Sequence, residues 1–360
     1  MEKNAWIRSI SLIGLLLILF ALLTPGHIVY NTHAQSSQGE KIIVTTTHPF
    51  LTSLVKLIGD VYVDVINAIP PGIDPHEYEP PTDVIKKIGS SDIIIIDALH
   101  HLPISDRIYE LYREKSVVLI DELLKAGWKP EKIPGTDVEN LHEVIFDKEA
   151  LIMTIDIMSN LLIRAANNKG LKIAEYLSAK SEDVKKAILR SFTEAQGIIK
   201  SLGIDSVALS SPVLYYLMRS LSINVSIILT PDPEIDPSPP SLQALRAQAP
   251  RCLLVASDLE HADINKLSES LSPFGINVIS VEALPLDPLD LPIFPLSISG
   301  KLIECAKITI SITSTSTSTA STAAGNQQAY LLLAGSAVLG LILGVTFGFL
   351  LGKRYRGRSS

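Results

Sequence analysis

Short runs of β-branched residues alternate along this chain with longer stretches in which apolar residues recur every three or four positions. In the first half the runs are residues 41–46, 61–66, 92–97 and 116–120; in the second they are residues 206–210, 224–229, 251–256 and 276–281. Nearly unbroken apolar runs suit strands buried on both faces, and their alternation with helical patterns predicts βαβ units built on parallel sheets. The expected fold class is α/β: two similar lobes, each a mostly parallel four-stranded sheet flanked by helices.

Between the lobes, from about residue 147 to residue 203, strand signals cease. Leu151, Ile155, Met158 and Leu162 recur at helical spacing over Asp147 to Asn167. A second helix is predicted from about Leu171 to Leu202, with Lys185, Lys186, Arg190 and Glu194 interleaved as on a surface helix. One long rigid helix therefore joins the lobes, which argues against large hinge closure.

Composition adds the two ends. Of 360 residues 47% are apolar and 19% charged, and the mean hydropathy of +0.31 is high for a soluble chain. Two charge-free runs, residues 9–26 and 329–351, account for the excess. The first follows Lys3 and Arg8 and precedes Thr32-His33-Ala34, the pattern of a secretory signal peptide. The second is long enough to span a bilayer and is followed by Lys353, Arg354, Arg356 and Arg358. Residues 311–322, ten of twelve of them Ser or Thr, read as a stalk. The expected organisation is a signal peptide (1–34), an N-terminal lobe (35–168), a linker helix (169–202), a C-terminal lobe (203–310), a stalk (311–328), a transmembrane helix (329–351) and a basic cytoplasmic tail (352–360). That places the protein at the cell membrane on a single-pass C-terminal anchor, with the globular part extracellular.

The chain carries a net charge of −7, and the basic residues at its two ends make the globular part more acidic than the whole. An acidic domain is a poor partner for nucleic acid and a fair one for cations. Cys252 and Cys305, the two cysteines, allow one disulfide but imply no framework.

Parallel sheets bind ligands beyond the carboxyl ends of their strands. There the first lobe places five of the chain's eight histidines: His48, His76, His100, His101 and His142. His76 stands between Asp74 and Glu77 in a proline-stiffened loop, residues 70–81. His142 and Glu143 precede the helix that starts at Asp147. In the second lobe Ser210 and Ser211 follow one strand and Glu282 another. Histidines gathered at strand exits point to a metal.

These residues carry a resemblance. Thr45-Thr46, the loop from Gly72 to Pro80, Ser91-Asp92 and the segment Glu234 to Leu242 occur in an order similar to that of the metal-binding solute receptors of zinc and manganese ABC transporters, also called cluster 9 or cluster A-I proteins. The likeness covers roughly residues 40–309, and the C-terminal stalk and helix resemble archaeal members. It implies a rigid two-lobed receptor that captures one divalent ion, Zn²⁺ or Mn²⁺ and by chemistry also Fe²⁺, in the interlobe cleft. Such a receptor delivers the ion to an ABC permease, works as a monomer and is not an enzyme. His76 matches the family's first ligand. The second falls on His142 or Glu143: spacing to Asp147 selects Glu143, side-chain chemistry selects His142. Ser211 stands where a His or Glu is expected, and serine is a poor ligand for these ions. Glu282 takes the place of an Asp. The expected metal set is His76, His142 and Glu282, with Glu143, Ser211 and His48 as further candidates.

Alternatives are a receptor of the same fold that has lost tight metal binding or takes a metal chelate, a cell-surface adhesin, and a metallohydrolase. The last lacks a His-Glu-x-x-His helix and any readable nucleophile constellation.

Overall fold

The computed structural model describes residues 40–70, 78–100, 102–260, 262–285 and 287–306. The predicted signal peptide, stalk, apolar run 329–351 and basic tail lie outside these residues, as do His76 and His101.

Among the described residues the strands form two four-stranded parallel sheets of the same plan. In the first lobe β1 (Ile42–Thr46), β2 (Val63–Asn67), β3 (Ile93–Ile96) and β4 (Ser116–Val118) lie in the order β2-β1-β3-β4. In the second, β5 (Ser206–Leu209), β6 (Asn224–Ile228), β7 (Cys252–Ala256) and β8 (Asn277–Val281) lie in the order β6-β5-β7-β8. The inner strands β3 and β7 are buried at every position, as their unbroken apolar runs require.

This order creates two crevices. The chain leaves β1 for β2 on one side, then crosses back to β3 on the other, so the loops beyond β1 and β3 diverge. The same happens at β5 and β7. At such switch points open α/β sheets hold their ligands.

Ten helices flank the sheets among the described residues. In the first lobe α1 (Pro49–Gly59), α2 (Thr82–Gly89), α3 (Pro103–Tyr112) and α4 (Leu119–Lys125) follow the strands. α5 (Lys148–Asn168) begins at Asp147, whose carboxylate accepts from the amides of Glu149 and Ala150 at 2.9 and 3.0 Å. α6 (Ala174–Ser201) is the expected strut, 28 residues or about 42 Å at 1.5 Å per residue. α7 (Tyr215–Ser220), α8 (Pro239–Gln248), α9 (Ile264–Leu271) and α10 (Phe294–Lys301) complete the second lobe.

One apolar core runs through both lobes, from Ile42 and Val44 of β1 through Met158 of α5 and Ile188 of α6 to Leu209 and Leu254. At its centre the ring of Phe294 meets Phe50, Phe192 and Phe146 at centroid distances of 5.6, 5.9 and 6.0 Å. The segment after α4 also bridges the lobes. Trp128 packs its ring 5.7 Å from that of Tyr216, and Arg219 pairs with Glu131 at 2.8 Å and Asp147 at 3.3 Å. Together with the shared core these contacts brace the lobes as one body, in keeping with the rigid joint anticipated from the long helix.

Cys252 at the start of β7 is disulfide-bonded to Cys305, 53 residues later. Disulfides of this kind persist in oxidising compartments. Among the described residues no helix is long and apolar enough to cross a membrane.

Candidate metal centre

His48 follows β1, and Pro49 fixes the first turn of α1 directly behind it. Its Nδ1 accepts the Phe50 amide at 3.3 Å, so the side chain caps the helix. A capped Nδ1 leaves the ring proton on Nε2, and Nε2 points at Glu143 Oε1, 3.1 Å away. The two side chains are only 12% and 13% exposed. Burial alone would lower the His48 pKa. The charge and hydrogen bond of Glu143, with the charges of Asp97 and Asp258 behind it, outweigh that and raise it above 6.5.

Asp97 ends the run that forms β3, and its carboxylate accepts from the Thr47 hydroxyl at 2.8 Å. His48 and Asp97 thus stand at the β1/β3 crevice. Asp258 and Glu260 stand at the matching β5/β7 crevice with Ser210 and Ser211. Asp258 is exposed as a residue, yet its carboxyl group accepts from the amides of Ala283 and Leu284 at 2.9 and 2.7 Å. Burial of that carboxyl raises its pKa, the two amides pull it down, and the charge of Glu143 adds to the rise.

Glu260 is more enclosed than Asp258. Its Oε1 accepts the Ala256 amide at 2.9 Å, and its Oε2 lies 2.5 Å from Ser210 Oγ. Ser210 Oγ also lies 3.0 Å from the Leu254 carbonyl, which can only accept. One hydroxyl proton serves one of these contacts well, and a proton on Glu260 satisfies the other. Consistently, burial pushes the Glu260 pKa up despite the hydrogen bonds from Ser210, Ala256 and Ser211.

Of the remaining candidates, Ser211 stands at the second crevice beside Glu260. His142 faces Asn140, its Nδ1 3.2 Å from Asn140 Oδ1. Glu143, next in sequence, has φ 45° and ψ 46°, a left-handed conformation that costs a non-glycine residue about 1–2 kcal/mol. Ser211 is buried and caps the short turn beyond β5 by accepting the Val213 amide at 3.3 Å. Glu282 is exposed just beyond β8. The structure therefore brings together His48, Glu143, Asp97, Asp258 and Glu260, whose charges act on one another. Three of the five, Asp97, Asp258 and Glu260, escaped the sequence reading, although all follow strands flanking a switch point.

Among the described residues no three His, Cys, Asp or Glu side chains converge closely enough to hold a metal ion on their own. What they provide is one wall: a buried imidazole among carboxyl groups, two of which, Asp258 and Glu260, are disfavoured as anions by burial. A cation relieves that cost. Nitrogen and oxygen donors without sulfur, both cysteines being in the disulfide, suit divalent first-row ions.

The family described as ZnuA, "Zinc-uptake complex component A periplasmic", matches residues 43–291. A "Metal ABC transporter substrate-binding lipoprotein FimA" of Streptococcus parasanguinis is 31% identical over 88 residues, 24% of this chain and 28% of that protein. An "Iron ABC transporter substrate-binding lipoprotein MtsA" of Streptococcus pyogenes is 26% identical over 93 residues, 26% of this chain and 29% of that protein. The matched stretch thus spans less than a third of either relative. Among solved structures, the periplasmic zinc binding protein TroA of Treponema pallidum superposes with a TM-score of 0.59 at 15% identity, covering 75% of this chain and all of that one. That likeness establishes the two-lobed fold with its long connecting helix.

One expectation is overturned. The relatives are named as lipoproteins, held by acyl chains, and no described helix here is fit to span a bilayer. A cell-membrane location through a single-pass C-terminal anchor is therefore withdrawn; hydropathy, the basic residues after the run and the likeness to archaeal members carried it, and the run at 329–351 lies outside the described residues.

Proposed function

Since the chain belongs to the zinc-uptake complex component A family, we propose that it is the solute receptor of an ABC importer, capturing one divalent ion between its lobes and passing it to a permease. The ion is Mn²⁺, Zn²⁺ or Fe²⁺. In this reading the protein acts as a monomer and catalyses no reaction; the metal is its cargo.

The observation that carries the reading is the His48–Glu143 pair at the first switch point, facing the acids of the second. Glu143 serves as a ligand. His48, with Nδ1 committed to its cap and Nε2–H donated to Glu143, orients that carboxylate. A metal-binding Nε2 would shift the proton to Nδ1, against the Phe50 amide, so His48 is better placed to support a ligand than to be one. His76 joins as the nitrogen donor supplied by the loop at 70–81, and Asp258 and Glu260 supply carboxyl groups on the opposite side.

Calorimetry on chelator-stripped full-length protein with Mn²⁺, Zn²⁺ and Fe²⁺ tests this. Submicromolar binding that is lost in His76→Ala and in Glu143→Ala supports it. Absence of binding by any of the three ions, in folded protein, overturns it. Ser211 at the end of β5, where the family places a stronger donor, favours one other reading: a receptor for a metal chelate. It predicts weak binding of bare ions and tight binding of the same ions with a small carboxylate or amine chelator.

A further inference from the structure

Resting on the reading of the protein as a divalent-metal receptor, we propose that Asp258 is itself a metal ligand. It supplies from the exit of β7 the second-lobe oxygen donor that Ser211, at the exit of the neighbouring β5, cannot.

The chain leaves β7 at Ala256 and stays in register with β8 for one residue more, the Ser257 amide donating to the Val281 carbonyl at 3.0 Å. Asp258 comes next. Its Oδ1 accepts the amide of Ala283 at 2.9 Å and its Oδ2 the amide of Leu284 at 2.7 Å, so two successive N–H groups of the segment leaving β8 hold one oxygen each. The carboxylate plane is thereby fixed. Leu259 and Leu284, next to either end of this clamp, both pack against the main core, which ties the clamp to the body of the lobe. Carboxylates that bind metals are commonly oriented by hydrogen bonds in this way.

The other donors at this crevice are turned elsewhere. Ser211 is buried and its Oγ accepts the Val213 amide at 3.3 Å, so its side chain caps its own turn, and a hydroxyl is in any case a poor ligand for these ions. Glu260 is engaged within its own lobe by the Ala256 amide and by the hydroxyls of Ser210 and Ser211. Asp258 instead looks across the lobes. As a residue it is exposed, and its charge acts on His48 while that of Glu143 acts on it. Two acids from opposite lobes thus lie close enough to repel, and a divalent ion between them turns that repulsion into attraction.

The clamp leaves capacity for the ion. A carboxylate offers about four acceptor sites, and the Ala283 and Leu284 amides take one on each oxygen. With Glu143 from the first lobe and His76 from the loop at 70–81, Asp258 makes a set of oxygen and nitrogen donors suited to Mn²⁺, Fe²⁺ or Zn²⁺.

A purely structural role, fastening the exit of β8, would also make Asp258 sensitive to substitution, so the experiment reads direct contact with the metal. Chelator-stripped full-length protein is prepared as wild type, Asp258→Asn, Asp258→Cys and Glu260→Cys. Mn²⁺ affinity is measured by calorimetry, and absorption spectra are recorded with Co²⁺. Both native cysteines are in the disulfide, so an introduced thiol is the one free sulfur. A thiolate bound to Co²⁺ gives a near-ultraviolet charge-transfer band, which a thiol that only hydrogen-bonds to the loop does not. Asp258→Asn is expected to lower Mn²⁺ affinity by more than about 100-fold, beyond the 10- to 100-fold loss typical of a residue that merely supports a ligand. Asp258→Cys is expected to bind Co²⁺ with the band, and Glu260→Cys without it. A smaller loss in folded Asp258→Asn, or Co²⁺ bound by Asp258→Cys with no band, overturns the proposal. Should Asp258→Asn fail to fold, the Asp258→Cys spectrum decides; should Asp258→Cys take up no Co²⁺, the Asp258→Asn affinity does. If wild type binds no ion, the parent reading fails; if it binds and these variants give the overturning result, only the role of Asp258 does.

Discussion

His48 and Glu143, 95 residues apart in the chain, meet at 3.1 Å beyond the carboxyl end of β1. Neither is placed by its own element alone. His48 is held by the start of α1, which it caps, and Glu143 by a turn whose far side is fastened to α7. The pair therefore reports whether the two lobes are correctly seated on each other.

Removing the two members should have unequal effects. Glu143→Ala deletes a ligand, while His48→Ala deletes the group that aims it, a change that typically costs about 10- to 100-fold in metal affinity. We expect Glu143→Ala to be the more damaging in calorimetry with Mn²⁺. Equal losses, or a larger loss for His48→Ala, would make His48 a direct ligand instead.

Glu260 gives a pH signature. Burial holds its pKa above the usual 4.5, so folding favours its neutral form. The resulting cost is absent below the unfolded value, grows as pH rises through the folded one and is complete above it. Metal-free Glu260→Gln should be more stable than wild type at about pH 7 and equal to it near pH 4. Denaturant midpoints across that range measure the difference, and comparing the two proteins cancels the contribution of His48. An advantage that does not vary with pH would contradict the assignment.

The disulfide should contribute chiefly to stability. Closing a loop of 53 residues is worth about 4 kcal/mol on the chain-entropy estimate. Replacing both Cys252 and Cys305 by Ser is expected to lower Tm by roughly 5–10 °C. Mn²⁺ affinity, measured well below the transition, should hold within about threefold, because the bond lies at the end of β7 opposite the switch point.

Phe294 links α10 to the core beneath both lobes. It is 3% exposed and touches three other rings. Phe294→Ala should cost about 3–5 kcal/mol by leaving a cavity. If the lobes are braced through this cluster, amide exchange should quicken on both sides of it, in α1 as well as in α6.

The eight strands were legible because each is a β-branched run bounded by turn or helix signals. Several strand ends shift by one or two residues, and at residues 116–120 the strand ends at Val118 and α4 starts at Leu119. Two apolar residues at that junction fit either period, so the pattern could not divide them. Strand exits pointed to the proposed site, but the survey favoured histidines and passed over Asp97, Asp258 and Glu260. Extended to every acid following β3 and β7, the same survey would have found them. The turn at Asn140 had no such signal. Its partners are Glu131, Pro212 and Tyr216, and contacts across 72 or 76 residues leave no local pattern. For that reason the choice between His142 and Glu143 could be posed from sequence and is addressed only by the fold.

The disulfide has a mechanical consequence as well. A pull on the chain beyond Ala306 reaches Cys305 and passes through the sulfur bridge directly to Cys252. The 52 residues enclosed between them are short-circuited and carry no tension. Asp258 and Glu260 both belong to that sheltered loop, so one wall of the proposed site keeps its shape under a load that the neighbouring segments must bear.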